Sequence, residues 1–227
     1  MTTAHSTSDA SVIQLPTSAA TLAGFRAWAT SDTFPDEGRI SYISDQVLID
    51  MTPEEIEAQN KVKSEVSRVL DTLNRQLNLG TFYSDRVLIT HDEAGLSTEP
   101  DGAFVAWDGF RSSRIRPVPR HDHPGEYVEL EGTPDWVLEV VSRGSHQKDT
   151  KLLRDAYHRA GVPEYWLINA LEPQIDLQIL KHTPQTYERV APQDGWHASS
   201  VFDRTFRLDR QRDPVGFWQY TLHLRGV

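Results

Sequence analysis

One stretch, PDWVLEVVSRGSHQKDTKLLRDAYHRAGVPEYWLIN from Pro134 to Asn169, restricts the architecture of this chain more than any other. Trp136 to Val141 is apolar on both faces apart from Glu139, the pattern of a central strand covered on both sides. Leu152, Leu153, Ala156, Tyr157 and Ala160 mark one face of a helix. Gly161 stands where a left-handed cap is expected, with Pro163 just beyond. Glu164 to Asn169 is a second β-rich run. Strand, helix and strand joined by short links predict a parallel pair with a right-handed connection.

Upstream, the sequence predicts a short helix near Thr21 to Ala29 and a strand pair within Ile40 to Met51. Thr52-Pro53-Glu54-Glu55 reads as a helix start with a capping box. Val62, Val66, Val69, Leu70, Leu73 and Leu77 then recur at helical spacing, with Gly80 as the stop. Two strand runs follow, Phe82 to His91 and Ala103 to Trp107, separated by a turn at Asp92-Glu93-Ala94-Gly95. Residues 108–132 are polar and rich in arginine and proline, and read as a loop insertion. Ile175 to Lys181, Thr186 to Val190 and Trp196 to Val201 are expected as peripheral C-terminal strands.

In order this gives helix, three strands, helix, strand. It is an α/β chain with a mixed sheet, in which the first three strands meander and the fourth joins in parallel. Residues 1–20 are expected as a flexible tail before a single domain at 21–227.

Composition bounds the function. No apolar run approaches the roughly 18 residues of a membrane span, and the N-terminus has no secretory pattern. The absence of cysteine excludes disulfides and thiolate metal sites and fits a reducing, cytoplasmic setting. A net charge of -10 argues against a broad grip on a phosphate backbone, so nucleic-acid binding requires a local basic patch. Arg111, Arg114, Arg116 and Arg120 form one cluster, read as a solvated loop; Lys148, Lys151 and Arg154 form another.

An ionised carboxylate buried without a partner costs several kcal/mol, so Glu139 requires a cation, a strong donor or a raised pKa. A buried ion pair, or a strand end facing water, would satisfy it without function. Asp101 opens the preceding strand run, and if the two strands pair, it meets Glu139. Two carboxylates with backbone carbonyl and water make a hard-oxygen site suited to magnesium or manganese (Mg2+ or Mn2+). An aspartate at a turn is equally a common capping residue.

Glu99-Pro100-Asp101, Pro134 to Ser142, and Ala160-Gly161-Val162-Pro163-Glu164-Tyr165-Trp166-Leu167-Ile168 together resemble the Uma-two family of restriction endonucleases, within the PD-(D/E)XK nuclease superfamily. The likeness runs from about Ile40 to Tyr187. It implies a restriction-endonuclease-like core with Asp101 and Glu139 as catalytic metal ligands, and a magnesium-dependent endonuclease acting on DNA, with a homodimer a plausible form. The superfamily lysine two residues after the glutamate is Val141 here. The family's substitute on the following helix, four residues before its tyrosine, is Leu153. Lys151 and then Lys148 are the replacements the sequence offers, with Arg154 supporting. The histidine common near the start of the first helix gives way to Gln59 and Asn60, either of which can orient water or a carboxylate.

The competing reading is a catalytically weakened nuclease-fold module that binds DNA or a protein partner. Asp135 is sufficiently explained as a strand start. His121 and His123 lack a third histidine nearby, and Ser142, Ser145, His146 and Asp149 lie too close in sequence for a hydrolase triad.

Overall fold

A computed structural model describes residues 13–120 and 123–226. Thr17–Ala20 form a 3-10 turn in which Ala19 is fully buried, so the last part of the expected tail is ordered. Residues 1–12 of that tail, and His121 of the histidine pair, lie outside the described residues. Helix α1 (Leu22–Ala29) is capped by Thr21, whose hydroxyl accepts the Gly24 N–H at 3.2 Å. Strands β1 (Arg39–Ile43) and β2 (Gln46–Asp50) are the expected pair.

Helix α2 (Lys61–Leu77) buries Val62, Val66, Val69, Leu70 and Leu73 along one stripe, as their spacing requires. Its start is not the expected one. Thr52 makes no cap; the chain enters α2 through a π turn, Ile56–Asn60, with Glu55 as its N-cap. The Gln59 side chain accepts the Glu55 N–H at 2.8 Å, and Glu54 is drawn to the buried Lys63 ammonium, so the capping box does not form. The stop is Asn78, left-handed at φ 52°, rather than Gly80. Gly80 opens β3 (Gly80–Ser84), where a Cβ would lie 2.0 Å from the Val105 carbonyl oxygen.

The run from Phe82 to His91 divides. β3 and β4 (Ile89–His91) belong to different sheets, because Asp85 and Arg86 both take positive φ and turn the chain between them. After β5 (Leu96–Thr98) and β6 (Gly102–Ala106), the expected insertion loop at 108–132 is instead helix α3 (Trp107–Arg111) and a hairpin of β7 (Ile115–Arg120) with β8 (His123–Gly132). Its charges are satisfied across the fold, which composition alone does not reveal. Arg26 on α1 pairs with Glu129 at 2.9 Å and Glu131 at 2.6 Å, and Arg114 with Asp135 at 2.7 Å.

β9 (Trp136–Val140) leads through a second π turn, Lys148–Leu153, into α4 (Arg154–Arg159) and then β10 (Glu164–Asn169). β11 (Asp176–His182), β12 (Tyr187–Arg189), β13 (His197–Ser199), β14 (Arg204–Arg212) and β15 (Trp218–Gly226) complete the chain. The central sheet has the order β12-β11-β10-β9-β6-β3. β3, β6 and β9 meander antiparallel and β10 joins β9 in parallel, which is the order read from the sequence. β2-β1-β5-β4-β8-β7 form a second sheet and β13-β14-β15 a third.

Alternate residues of β9 face opposite cores. Trp136, Leu138 and Val140 pack with α2 and with Phe206, Leu208, Tyr220 and Leu222 of the C-terminal hairpin, which is therefore part of the core. Val137 and Val141 face Leu153, Ala156 and Tyr157 on the other side. By the same alternation Glu139 belongs to this second face. No helix among the described residues is long and apolar enough to cross a membrane.

Candidate active site

The pairing of Gly102 with Leu138 sets Asp101 opposite Glu139 across β6 and β9. Asp101 is clasped there: its N–H donates to Leu138 O at 3.0 Å, and its Oδ2 accepts the Val140 N–H at 2.7 Å. Glu139 is 2% exposed, and its Oε1 accepts the Tyr157 hydroxyl of α4 at 2.7 Å. Burial, then the charges of Asp101 and Asp149, hold the Glu139 carboxyl well above the usual carboxylate range, while Lys148 and the Tyr157 O–H pull against them.

Asp149 is the third acid of the cluster. Ser145 donates to its Oδ2 and Ser142 donates to Ser145, fixing the loop after β9. Burial pushes the Asp149 carboxyl up to about 6 against the pull of Lys148 and Ser145. Its Oδ1 is buried without a hydrogen-bond partner, the Lys148 ammonium standing 3.7 Å away. Glu164, equally buried, shows the opposite design. It takes donors from Trp166 at 2.7 Å, Ser199 at 2.6 Å and the Ser200 N–H at 2.8 Å, so it is a satisfied structural carboxylate.

The cations also converge. Burial alone would lower the Lys148 pKa; Glu139, Asp149 and Asp101 outweigh it and raise it. Arg39 donates to Asp101 Oδ1 at 2.7 Å and to Asp85 at 2.9 Å. Lys63 of α2 lies 3.2 Å from Asp85 Oδ2 and 3.6 Å from Asp101 Oδ1. Between these groups is a cavity of about 30 Å³, lined by Asp101, Glu139, Lys148 and Asp149 among others. A cleft of about 510 Å³ along α2 and β3 reaches Asp101 from one side. Another, of about 370 Å³, approaches Arg39 and Lys148 from the other.

Of the residues singled out from the sequence, Asp101, Glu139, Lys148 and Gln59 line the small cavity, and Asn60 lines the cleft beside it. Lys151 does not join them. Its side chain is exposed on the π turn, because the wider turn directs Lys148 to the acids and Leu153 into the core. Arg154 is turned away as well, donating to the Tyr187 carbonyl at 2.8 Å. Asp135 has the expected strand-start role, accepting the Ala106 N–H at 2.8 Å.

Sequence reasoning missed Arg39, Lys63, Asp85 and Tyr157 as members of the site, and did not connect Asp149 to it. Lys63 carried a signal, since it stands beside Val62 near the buried stripe of α2. Arg39 and Asp85 carried none, because a strand edge and a turn bring them in from distant parts of the chain.

The donor set fits a hard divalent ion. Among the described residues no group of three or more acidic or histidine side chains is arranged to hold one alone, so backbone carbonyl and water would complete the shell. The cavity has about the volume of one liquid water. Crowded buried carboxylates with one orphaned oxygen are what an added cation would relieve. It would compete with Arg39 for Asp101 Oδ1.

A meandering three-strand unit, a parallel fourth strand and flanking helices, with paired acids at a sheet end, define a restriction-endonuclease-like fold. The chain belongs to the Uma2 family, whose model, described as "Putative restriction endonuclease", matches residues 22–211. It is similar in fold to a crystal structure of "a putative nuclease belonging to DUF820" from Anabaena variabilis. That likeness has a TM-score of 0.57 at 19% identity, covering 80% of this chain and 90% of the other. No curated protein matches the chain.

Proposed function

We propose that the protein is a metal-dependent endonuclease of the PD-(D/E)XK superfamily that hydrolyses phosphodiester bonds of DNA. The observation that carries this reading is the placement of Asp101 and Glu139 opposite each other at one cavity that also takes in Lys148. Asp101 and Glu139 would hold a magnesium or manganese ion. When bound, such an ion supplies Lewis acidity toward a phosphoryl oxygen and a more acidic water.

The protein's own groups then have separable tasks. Lys148 replaces the missing superfamily lysine, its ammonium offering positive charge to the phosphoryl oxygens as negative charge grows on them. Tyr157 holds Glu139 in place through its O–H, leaving the second carboxylate oxygen for the site. Gln59 and Asn60 stand at the cavity and its adjoining cleft as polar groups that orient substrate or water. Arg39 keeps Asp101 aligned in the resting state.

The test is magnesium-dependent nicking of supercoiled DNA by the purified protein. Activity that survives Glu139→Ala would remove the basis of the proposal.

A second reading is the catalytically weakened module binding DNA or a protein partner. Val141 at the lysine position favours it, as does the engagement of Asp101 by Arg39. Calorimetry with manganese separates the two, because a binding module has no need of the ion.

A further inference from the structure

The segment 51–55 runs along the carboxylate cavity. All five are exposed and lie outside any helix or strand. Among the described residues, 51–54 make no backbone–backbone hydrogen bond, and the Thr52 N–H donates only to the neighbouring Asp50 carboxylate at 2.9 Å. Thr52, Pro53 and Glu54 nevertheless line the cavity. We propose that this segment is a strap closed over the site, and that its opening admits a phosphodiester while freeing Lys63 from Glu54 to contact it. The identity of the ligand rests on the nuclease reading; the motion does not.

Three observations carry the proposal. The space of about 30 Å³ lined by the strap and the acids is less than a phosphate with its ester oxygens occupies. Open clefts of about 510 and 370 Å³ flank it, sharing Asp101 with the cavity on one side and Lys148 on the other. A polymer lying along both clefts therefore meets the strap where its reacting phosphate would have to sit.

The third observation is the latch. Glu54 forms an ion pair with Lys63, whose side chain is only 7% exposed, and its Oε2 accepts the Asn60 side-chain N–H at 3.5 Å. With Glu54 displaced, Lys63, which already lines the larger cleft, keeps Asp85 and Asp101 as neighbours and loses its ion pair with the strap. Across the mouth, a Cβ built on Gly144 lies 3.1 Å from the Thr52 hydroxyl oxygen. The strap ends at Asp50, the last residue of β2, and at the π turn of Ile56–Asn60. A π turn is a natural place for a helix entry to rearrange.

The chain has no cysteine, so the strap can be locked selectively. In the double variant Thr52→Cys/Gly144→Cys, the close approach suits a disulfide. The oxidised form should lose magnesium-dependent DNA nicking and the reductant should restore it. Lys63 acetylation by an amine-reactive ester, read by mass spectrometry, should be at least about fivefold slower in the oxidised form, since closure suppresses local opening. Glu54→Gln, which needs no disulfide, should speed that acetylation relative to wild type. Equal nicking by oxidised and reduced forms would overturn the strap, as would Lys63 acetylation unchanged by the lock and by Glu54→Gln. If neither wild type nor reduced variant nicks DNA, the nuclease reading fails, and Lys63 labelling still decides whether the strap opens.

Discussion

Asp101 and Glu139 face each other across two antiparallel strands, one residue beyond the Gly102–Leu138 rung, and the Val140 N–H beside Glu139 donates to Asp101 at 2.7 Å. Like charges directly opposite on a sheet are destabilising, and these are also buried. Arg39 and Lys63 beside Asp101, and the raised pKa of Glu139, offset part of that conflict.

Glu139→Gln should expose that conflict. The amide oxygen still accepts from Tyr157, while the buried charge disappears. Without metal at pH 8, the variant should be more stable by about 1–2 kcal/mol in urea unfolding. It should also lose manganese binding in calorimetry and cleave DNA at least about a hundredfold more slowly. A variant less stable than wild type would show that the charge is already compensated.

Stability should depend on pH with a defined sign. Asp149 has a folded pKa of about 6 against 3.8 as its ordinary value, so between these values the folded state binds more protons. Its contribution to stability is present at low pH and is lost as pH rises through this interval. Glu139, also raised, acts in the same direction. Asp149→Asn should therefore gain on wild type by roughly 2 kcal/mol between pH 4 and pH 7. Urea midpoints at several pH values check this, and a difference independent of pH would contradict it.

The two lysines offered by the sequence should separate kinetically. Lys148→Ala should lower the nicking rate by about 10²–10³-fold, as expected for a positioned charge at a reacting phosphoryl group. Lys151→Ala, on an exposed side chain, should stay within about twofold, because surface substitutions away from a site have small effects. Single-turnover rates on one plasmid substrate make the comparison.

Tyr157→Phe removes, from a fully buried position, the hydroxyl that donates to Glu139. Thermal and urea unfolding should show a loss of about 1–3 kcal/mol, the cost of a buried acceptor left without its donor. Unchanged stability would mean that the Tyr157–Glu139 hydrogen bond contributes nothing net to the fold.

Gly80→Ala should be among the most damaging changes outside the site. The added Cβ would stand 2.0 Å from Val105 O, and that atom is backbone within a paired strand. Loss of soluble folded protein, or a fall in unfolding midpoint of several degrees, is the expected result.

Much of this protein is written locally. The apolar run of β9, the stripe on α2 and the Gly161 cap each report a nearest-neighbour preference, so the order helix, three strands, helix, strand could be read along with its parallel last strand. Even the convergence of Asp101 and Glu139 was legible, because a carboxylate within an apolar strand, or just before one, is conspicuous without any partner. Tertiary structure decided the rest. Composition cannot show that Arg26 would meet Glu129 and turn a supposed loop into a hairpin, since the two lie 103 residues apart. Nor can it show that a π turn would present Lys148 in place of Lys151, or that Arg39, Lys63 and Asp149 would gather around the two acids. Periodicity records which face of an element is buried; which charge meets which is fixed only when separate elements pack, because electrostatic partners are chosen by distance in space and not by distance along the chain.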